Sequence, residues 1–320
     1  MLLHPEIPDT RVTEIFDKLG PTPRLCSGIL KDPVLLKHYE HVLDRTISNL
    51  TIGRLERLRY SAPLALDSLS RKICLISRED PDVVQSLYVL ALATNFIAFR
   101  LAAQFRNLEQ REQIRLYHRL EWHPQSRPVA GAIYDAMVLS RLQGGMPLEL
   151  IPMVKLDASG KGKAQRPRWH SSHMCIHDEA LEESRRHALT KRFLVEIQPT
   201  ETFEYTDDKL EPIRPNVLYI PKVTNQTAID SFILVDGFFF LFQISIASTH
   251  VINPRLIDVA KKLNIPEMDK WRFVFIIPPD LTLVVPPPWR GPLRNLSLYS
   301  AVVNPDDPFG SVLYYRHNSS

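Results

Sequence analysis

The chain has 320 residues, 44% of them hydrophobic, and a formal net charge of +3. That length and apolar content describe a globular protein, with two domains the better expectation, and the small charge excludes a polybasic coat while leaving room for a local basic patch. Three scattered cysteines (Cys26, Cys74, Cys175) make neither a disulfide framework nor a metal-binding pattern.

The cysteine usage points to a reducing compartment. The start, MLLHPEIPDT, carries no basic segment followed by a long apolar one. No window reaches the roughly 18 uncharged apolar residues that cross a bilayer. The expected location is therefore intracellular, cytoplasmic or nuclear, with no membrane partner.

In chain order, the first part reads as helices over residues 33–50, 52–60, 81–105 and 109–120. The strongest pattern is 81–105, with Pro81 at the first turn, Asp82 beside it and apolar residues all round, as in a buried helix. A further helix is expected over 129–142, between Pro128 and the Gly144-Gly145 stop. After Gly145 the pattern changes to short β-branched and apolar segments: 148–156, 193–198, 217–220, a hairpin around 236–237, and 271–277, with a helix over 254–263 before the last. The 26 prolines cluster after Pro199, which suits strands and irregular connections. The order implies an all-α segment over 1–125 followed over 126–320 by an α/β sandwich around a mixed sheet, an α+β or α/β protein overall. Residues 157–177 interrupt it with an exposed basic loop holding Lys161, Lys163, Arg166, Arg168, His170, His173 and His177.

The hairpin is the most informative stretch, AIDSFILVDGFFFLFQISIASTH from Ala228 to His250. Asp236-Gly237 is a two-residue turn signature, and pairing Val235 with Phe238 sets Asp230 opposite Gln243 and Ala228 opposite Ser245. Ile229, Ser231, Ile233 and Val235 share one face with Phe238, Phe240, Phe242, Ile244 and Ile246. The opposite face is also apolar near the turn and becomes polar only where Asp230, Gln243 and Ser245 meet. A hairpin apolar on both faces is a central layer of a fold. An acid in one corner of it needs a partner.

A helix bearing an acid, a strand bearing Asp and a neighbouring strand bearing a polar-x-polar pair resemble the PD-(D/E)XK restriction-endonuclease fold. In that family the two strand acids bind a divalent metal, and a lysine two residues later positions the attacking water. The resemblance puts Asp230 at the first acid, Gln243 at the second, Ser245 at the lysine and Asp135 on the preceding helix, where the family tends to carry a longer Glu. It implies Mg²⁺ or Mn²⁺ at Asp230 and Gln243. His250, five residues beyond Ser245, is the candidate for the lysine's task, with Lys261 or Lys262 on the next helix as others. Gln243 is a weaker ligand than a carboxylate and Ser245 brings no positive charge, so the motif departs from the family at two positions. On residue chemistry alone Asp230 and Gln243 can equally be a hydrogen-bonded cross-strand pair, Asp135 a solvated helix residue and His250 a strand-end cap.

A more particular likeness lies in KLGPTPRLC (Lys18 to Cys26), LYIPKVTNQTAIDSF (Leu218 to Phe232), FQISIASTH (Phe242 to His250) and WRFVFIIPPDLTL (Trp271 to Leu283). Together and in this order they resemble the C-terminal region of the Crinkler and retrotransposon-hot-spot effector-like proteins of fungi and oomycetes. Such proteins usually place a STAND-type P-loop ATPase ahead of a restriction-endonuclease-like domain, so residues 1–125 would be a connector following that module. No Walker A loop is read here: Ser159-Gly160-Lys161-Gly162-Lys163-Ala164 lacks the hydroxyl after its lysine and does not join a strand to a helix. The ATPase would then be a partner in trans.

Lys161, Lys163, Arg166 and Arg168 suit phosphate-backbone contact with DNA or RNA, with Trp169 available for stacking. His170, His173, His177 and Cys175 lack the paired spacing of a zinc site, and the Pro286-Pro287-Pro288-Trp289 run reads as a rigid edge turn or a polyproline ligand. The function expected is metal-dependent phosphodiester hydrolysis or its degenerate descendant. The alternative is a non-catalytic nucleic-acid-binding or interaction module on the same fold.

Overall fold

The structure, a computed structural model, describes residues 9–20, 22–50, 73–78, 88–105, 108–122, 127–156, 168–174, 179–205, 212–221, 229–262, 268–286, 293 and 295–307. The chain divides into a first compact unit ending at Ala136 and a second beginning at Met137. Each is described by itself. Both helices and a mixed sheet are present, so the α+β class read from the sequence holds.

The first unit holds helices α1 (Asp9–Leu19), α2 (Pro23–Lys31) and α3 (Val34–Ser48), strands β1 (Cys74–Arg78) and β2 (Tyr88–Leu92), and helices α4 (Asn95–Phe105) and α5 (Gln110–Glu121). The Gly-Pro-x-Pro-Arg segment punctuates two helices. Gly20 ends α1 at φ +74°, where a Cβ would come within 2.9 Å of the Ala93 carbonyl oxygen, and Pro23 starts α2. Thr94 ties the pieces together. Its Oγ1 donates to the Lys18 carbonyl at 3.1 Å and accepts from the Ile97 N–H at 3.2 Å, capping α4.

Two expectations are corrected here. The first segment is not all-α: β1 pairs antiparallel with β2, with Ile76 opposite Leu90. Of the helix expected over 81–105, Tyr88–Leu92 is a strand and Asn95–Phe105 a helix, while 81–87 lie outside the described residues. An apolar run such as YVLAL fits a buried helix and a buried strand equally by periodicity, and the partner CLISR decided between them. Helices α1 and α2 also lie ahead of the expected helical start. The helix expected over 52–60 lies outside the described residues.

Helix α6 (Arg127–Gly144) runs from the first unit into the second. The second unit continues with β3 (Met146–Pro152), β4 (Val154–Leu156), β5 (Arg168–His170), α7 (Glu179–Thr190), β6 (Phe193–Ile197), β7 (Glu201–Tyr205), β8 (Val217–Pro221), β9 (Ser231–Val235), β10 (Phe238–Ile244), α8 (Leu256–Lys262), β11 (Trp271–Ile277), β12 (Val284–Val285) and β13 (Leu298–Val302). An eight-stranded mixed sheet runs in the order β6-β3-β13-β11-β10-β9-β8-β7. A small antiparallel sheet, β12-β5-β4, places a strand and the buried Ser171 and Ser172 inside what the sequence presented as an exposed loop.

The hairpin β9–β10 sits near the middle of the large sheet, and β10 continues through α8 into the parallel β11. One face of the sheet packs Phe232, Phe239, Leu241, Trp271, Phe273 and Phe275 against Ile252, Leu256 of α8, Leu281 and Leu283. Phe240, Phe242, Val274 and Ile276, on the opposite face, are buried too. The last turn of α6 is fastened to the end of β13 by Arg141, whose two terminal nitrogens donate to the Asn304 and Pro305 carbonyls at 2.7 Å each.

The turn follows the sequence signature. Asp236 has φ 50° and Gly237 φ 78°, with Val235 opposite Phe238. Nothing lies within 4 Å of a Cβ placed at Gly237, so only the backbone resists a side chain there. Gly237→Ala should therefore cost about 1–2 kcal/mol through the left-handed φ alone, measured by urea unfolding, and a neutral substitution would mean that the turn rearranges.

Candidate functional site

The register set by the turn brings Asp230 and Gln243 side by side. Asp230 N–H donates at 2.9 Å to the carbonyl of Phe242, the residue that Ser231 already faces, so the chain leaves the regular ladder in a bulge-like step just ahead of β9. The Asp230 carboxylate Oδ2 accepts from Gln243 Nε2 at 2.6 Å and from the Ile244 N–H at 2.6 Å. The sequence foresaw the first contact. The second, a backbone donor, has no sequence signal.

Gln243 is also aligned with Phe275 of β11, and Phe275 with Ser300 of β13. In-register partners share a face of a sheet. Gln243, Phe275 and Ser300 therefore form one row across three strands, and Asp230, just ahead of β9, is joined to its end by the bond to Gln243. Ser300 is fully buried, and its Oγ has no hydrogen-bond partner among the described residues. It escaped the sequence reading because strand 298–302 itself did.

Burial governs the electrostatics of this row. Desolvation pushes the Asp230 carboxyl up to about 7 against the opposing effect of the Ile244 N–H. The His250 ring lies edge-on to Phe275, the residue aligned with Gln243, at 5.7 Å, and burial lowers its pKa. It is a neutral imidazole at pH 7. His250 therefore offers a proton acceptor and not the positive charge that the motif's lysine would bring.

The remaining candidates are placed as follows. Ser245 lies just past β10, 7% exposed, and its Oγ accepts from the Ala247 N–H at 3.1 Å, which caps the chain as it leaves the strand. Asp135 is half-buried on the part of α6 that belongs to the first unit. Lys261 is exposed on α8. Arg168 is exposed at the start of β5, while Lys161, Lys163 and Arg166 lie outside the described residues.

Two histidines of the former loop have structural partners. His170 is aligned with Val154 and Val284, and burial lowers its pKa. His173 Nε2 bonds the Pro279 carbonyl at 3.0 Å. Among the described residues no three His, Cys, Asp or Glu side chains gather as a metal-binding group, and no helix is long and apolar enough to cross a membrane. Comparison with protein-family models, curated proteins and solved structures finds no match to this chain.

Proposed function

We propose that the second unit is a restriction-endonuclease-like domain whose Asp230 corner acts on phosphodiesters, as the likeness to the Crinkler and retrotransposon-hot-spot effector-like proteins implies. Asp230 itself carries the reading: a carboxyl is retained at the open end of a hairpin apolar on both faces, where its ionisation is opposed by burial. Buried carboxyls bonded by a side-chain amide and a backbone N–H in this way are enriched at functional sites. The order hairpin, helix α8, parallel strand β11 supports it, because the metal-binding residues of that fold lie on such a hairpin. A separate STAND-type ATPase is part of the same proposal.

Asp230 and Gln243 would hold Mg²⁺ or Mn²⁺ with one anionic and one neutral oxygen, a set that fits a hard cation able to keep several waters and to take a substrate phosphate. Such an ion, when bound, lowers the pKa of a water and neutralises phosphate charge. The chain's own groups do the rest. Ile244 N–H fixes Oδ2 of Asp230, which exchanges a proton near neutral pH. To hold the ion, Gln243 would turn its amide, whose Nε2 faces Asp230 here, so as to present Oε1. His250, neutral at pH 7, accepts a proton from water, and Arg168 with Lys161, Lys163 and Arg166 neutralises the nucleic-acid backbone.

A second reading has an observation of its own. The 2.6 Å bond from Gln243 to Asp230 occupies the two ligands with each other, as in a non-catalytic module that keeps the fold and binds nucleic acid or protein. Plasmid nicking by wild type and Asp230→Asn, with and without Mg²⁺ or Mn²⁺, separates the two. Metal-dependent nicking lost in the variant is the result expected; an inert wild type that still binds DNA or RNA leaves the module.

For the binding surface, replacing Lys161, Lys163, Arg166 and Arg168 together with Ala should flatten the dependence of log K on log salt by about 3–4 units. An unchanged slope in a salt titration would make the basic stretch merely a solvated surface.

A further inference from the structure

The eight-stranded sheet ends at β6, and this edge carries two of the exposed large apolar side chains of the second unit, Phe193 (38%) and Leu194 (51%). Among the described residues no strand covers it. Exposed, apolar strand edges invite pairing with another strand unless charge or proline blocks them. Here the charges select a partner.

The direction of the free backbone groups follows from the ladder. Met153 N–H donates to the Leu298 carbonyl at 3.0 Å, so the odd-numbered residues of β3 turn their backbone groups toward β13 and the even-numbered ones toward β6. Met146, Leu148 and Leu150 are opposite Ile197, Val195 and Phe193, which therefore carry the bonds to β3. Leu194 and Glu196, opposite Glu149 and Pro147, turn their N–H and C=O outward to the open edge. Pro147, which has no N–H, falls where none is needed for this ladder.

We propose that the edge Arg192-Phe193-Leu194-Val195-Glu196 pairs antiparallel with the same segment of a second copy about a two-fold axis at Leu194, joining two sheets into one. In that register Leu194 meets its own copy, Arg192 meets Glu196 on both sides of the axis, and Phe193 meets Val195. Every pair is complementary, which a closed two-fold interface requires of a single strand. The outward groups of Leu194 and Glu196 are those that a two-fold pairing on Leu194 would use; Arg192 N–H already donates to the Leu189 carbonyl at 3.3 Å, which leaves about four hydrogen bonds in all. Arg192 already leans toward Glu149 on its own chain at 3.4 Å, and would lie between that carboxylate and the copy's Glu196.

An edge this short buries less than the roughly 1,200 Å² of a standard interface, so the dimer is weak and is sought by sedimentation velocity of the full chain at tens of micromolar. Arg192→Glu alone and Glu196→Arg alone each create two like-charge pairs and should weaken dimerisation by about tenfold or more. The double reversal R192E/E196R restores both pairs across the axis and should dimerise more tightly than either single reversal, short of wild type because position 192 then faces Glu149 with like charge. Leu194→Pro removes only an outward N–H, so it should abolish the dimer while the thermal transition persists; should that variant fail to fold, the charge cycle decides. A monomeric wild type over this range, a dimer indifferent to single reversals, or a double reversal as weak as the singles overturns the proposal.

Discussion

Asp230→Asn should be more stable than wild type at pH 8, by on the order of 4 kcal/mol if the whole rise of its carboxyl to about 7 is realised, and should lose metal-dependent cleavage entirely. Both hydrogen bonds to Asp230 go to one oxygen, Oδ2, which the Asn side-chain oxygen can replace. The amide removes the ionisation that burial opposes. Between about pH 4 and pH 7 the folded protein holds a proton on Asp230 that the unfolded chain has released, so wild-type stability falls as pH rises through this window and levels off above it. The Asn variant lacks this component.

The difference between the two proteins should therefore grow from near zero at pH 4 to its full size at pH 8 in urea unfolding. A difference independent of pH would mean that Asp230 ionises as freely as a solvated carboxylate. Greater stability with unchanged cleavage would remove Asp230 from the chemistry. The combination expected, a more stable and inactive protein, is that of a side chain kept for function at the expense of the fold.

Gln243→Glu should make the site dependent on a divalent cation. It sets a second carboxylate at hydrogen-bonding distance from the first, and two such groups cannot both ionise without a cation between them. Without metal the variant should lose about 2–3 kcal/mol at pH 8. Saturating Mg²⁺ or Mn²⁺ should restore about 2.7 kcal/mol once the free ion exceeds its Kd a hundredfold, with nicking above wild type. Thermal unfolding across a metal titration checks it, and a Tm indifferent to metal would leave Asp230 and Gln243 a structural pair. Adding Ser245→Lys to complete the family motif is the poorer experiment. Ser245 is buried and caps Ala247, so a lysine there would lose the cap and bring a charge out of water.

The chain's sequence alone determined the hairpin and with it the heart of the candidate site. Asp236-Gly237 needs left-handed backbone at two successive positions, which few dipeptides tolerate, and the period of two then carries the register outward to Ser231 and Phe242; Asp230 and Gln243 still meet through their side chains, although Asp230 itself steps out of the ladder. Helices 34–48, 110–121, 127–144 and 256–262, and strands 193–197, 217–221 and 271–277, were legible in outline for similar local reasons: caps, breakers and uninterrupted apolar runs. Strands 74–78, 88–92, 201–205 and 298–302 were not. Their short apolar or mixed segments become strands because a distant segment supplies the other half of the hydrogen bonds, and the identity of that segment is a property of topology.

The tertiary structure alone decided what surrounds Asp230. Burial by the sheet raises its pKa, the Ile244 N–H arrives through the ladder, Phe275 and Ser300 enter its row by parallel pairing, and His250 is rendered neutral beside Phe275. Charge and desolvation are set by everything within reach of a group, and most of what is within reach here lies dozens of residues away along the chain.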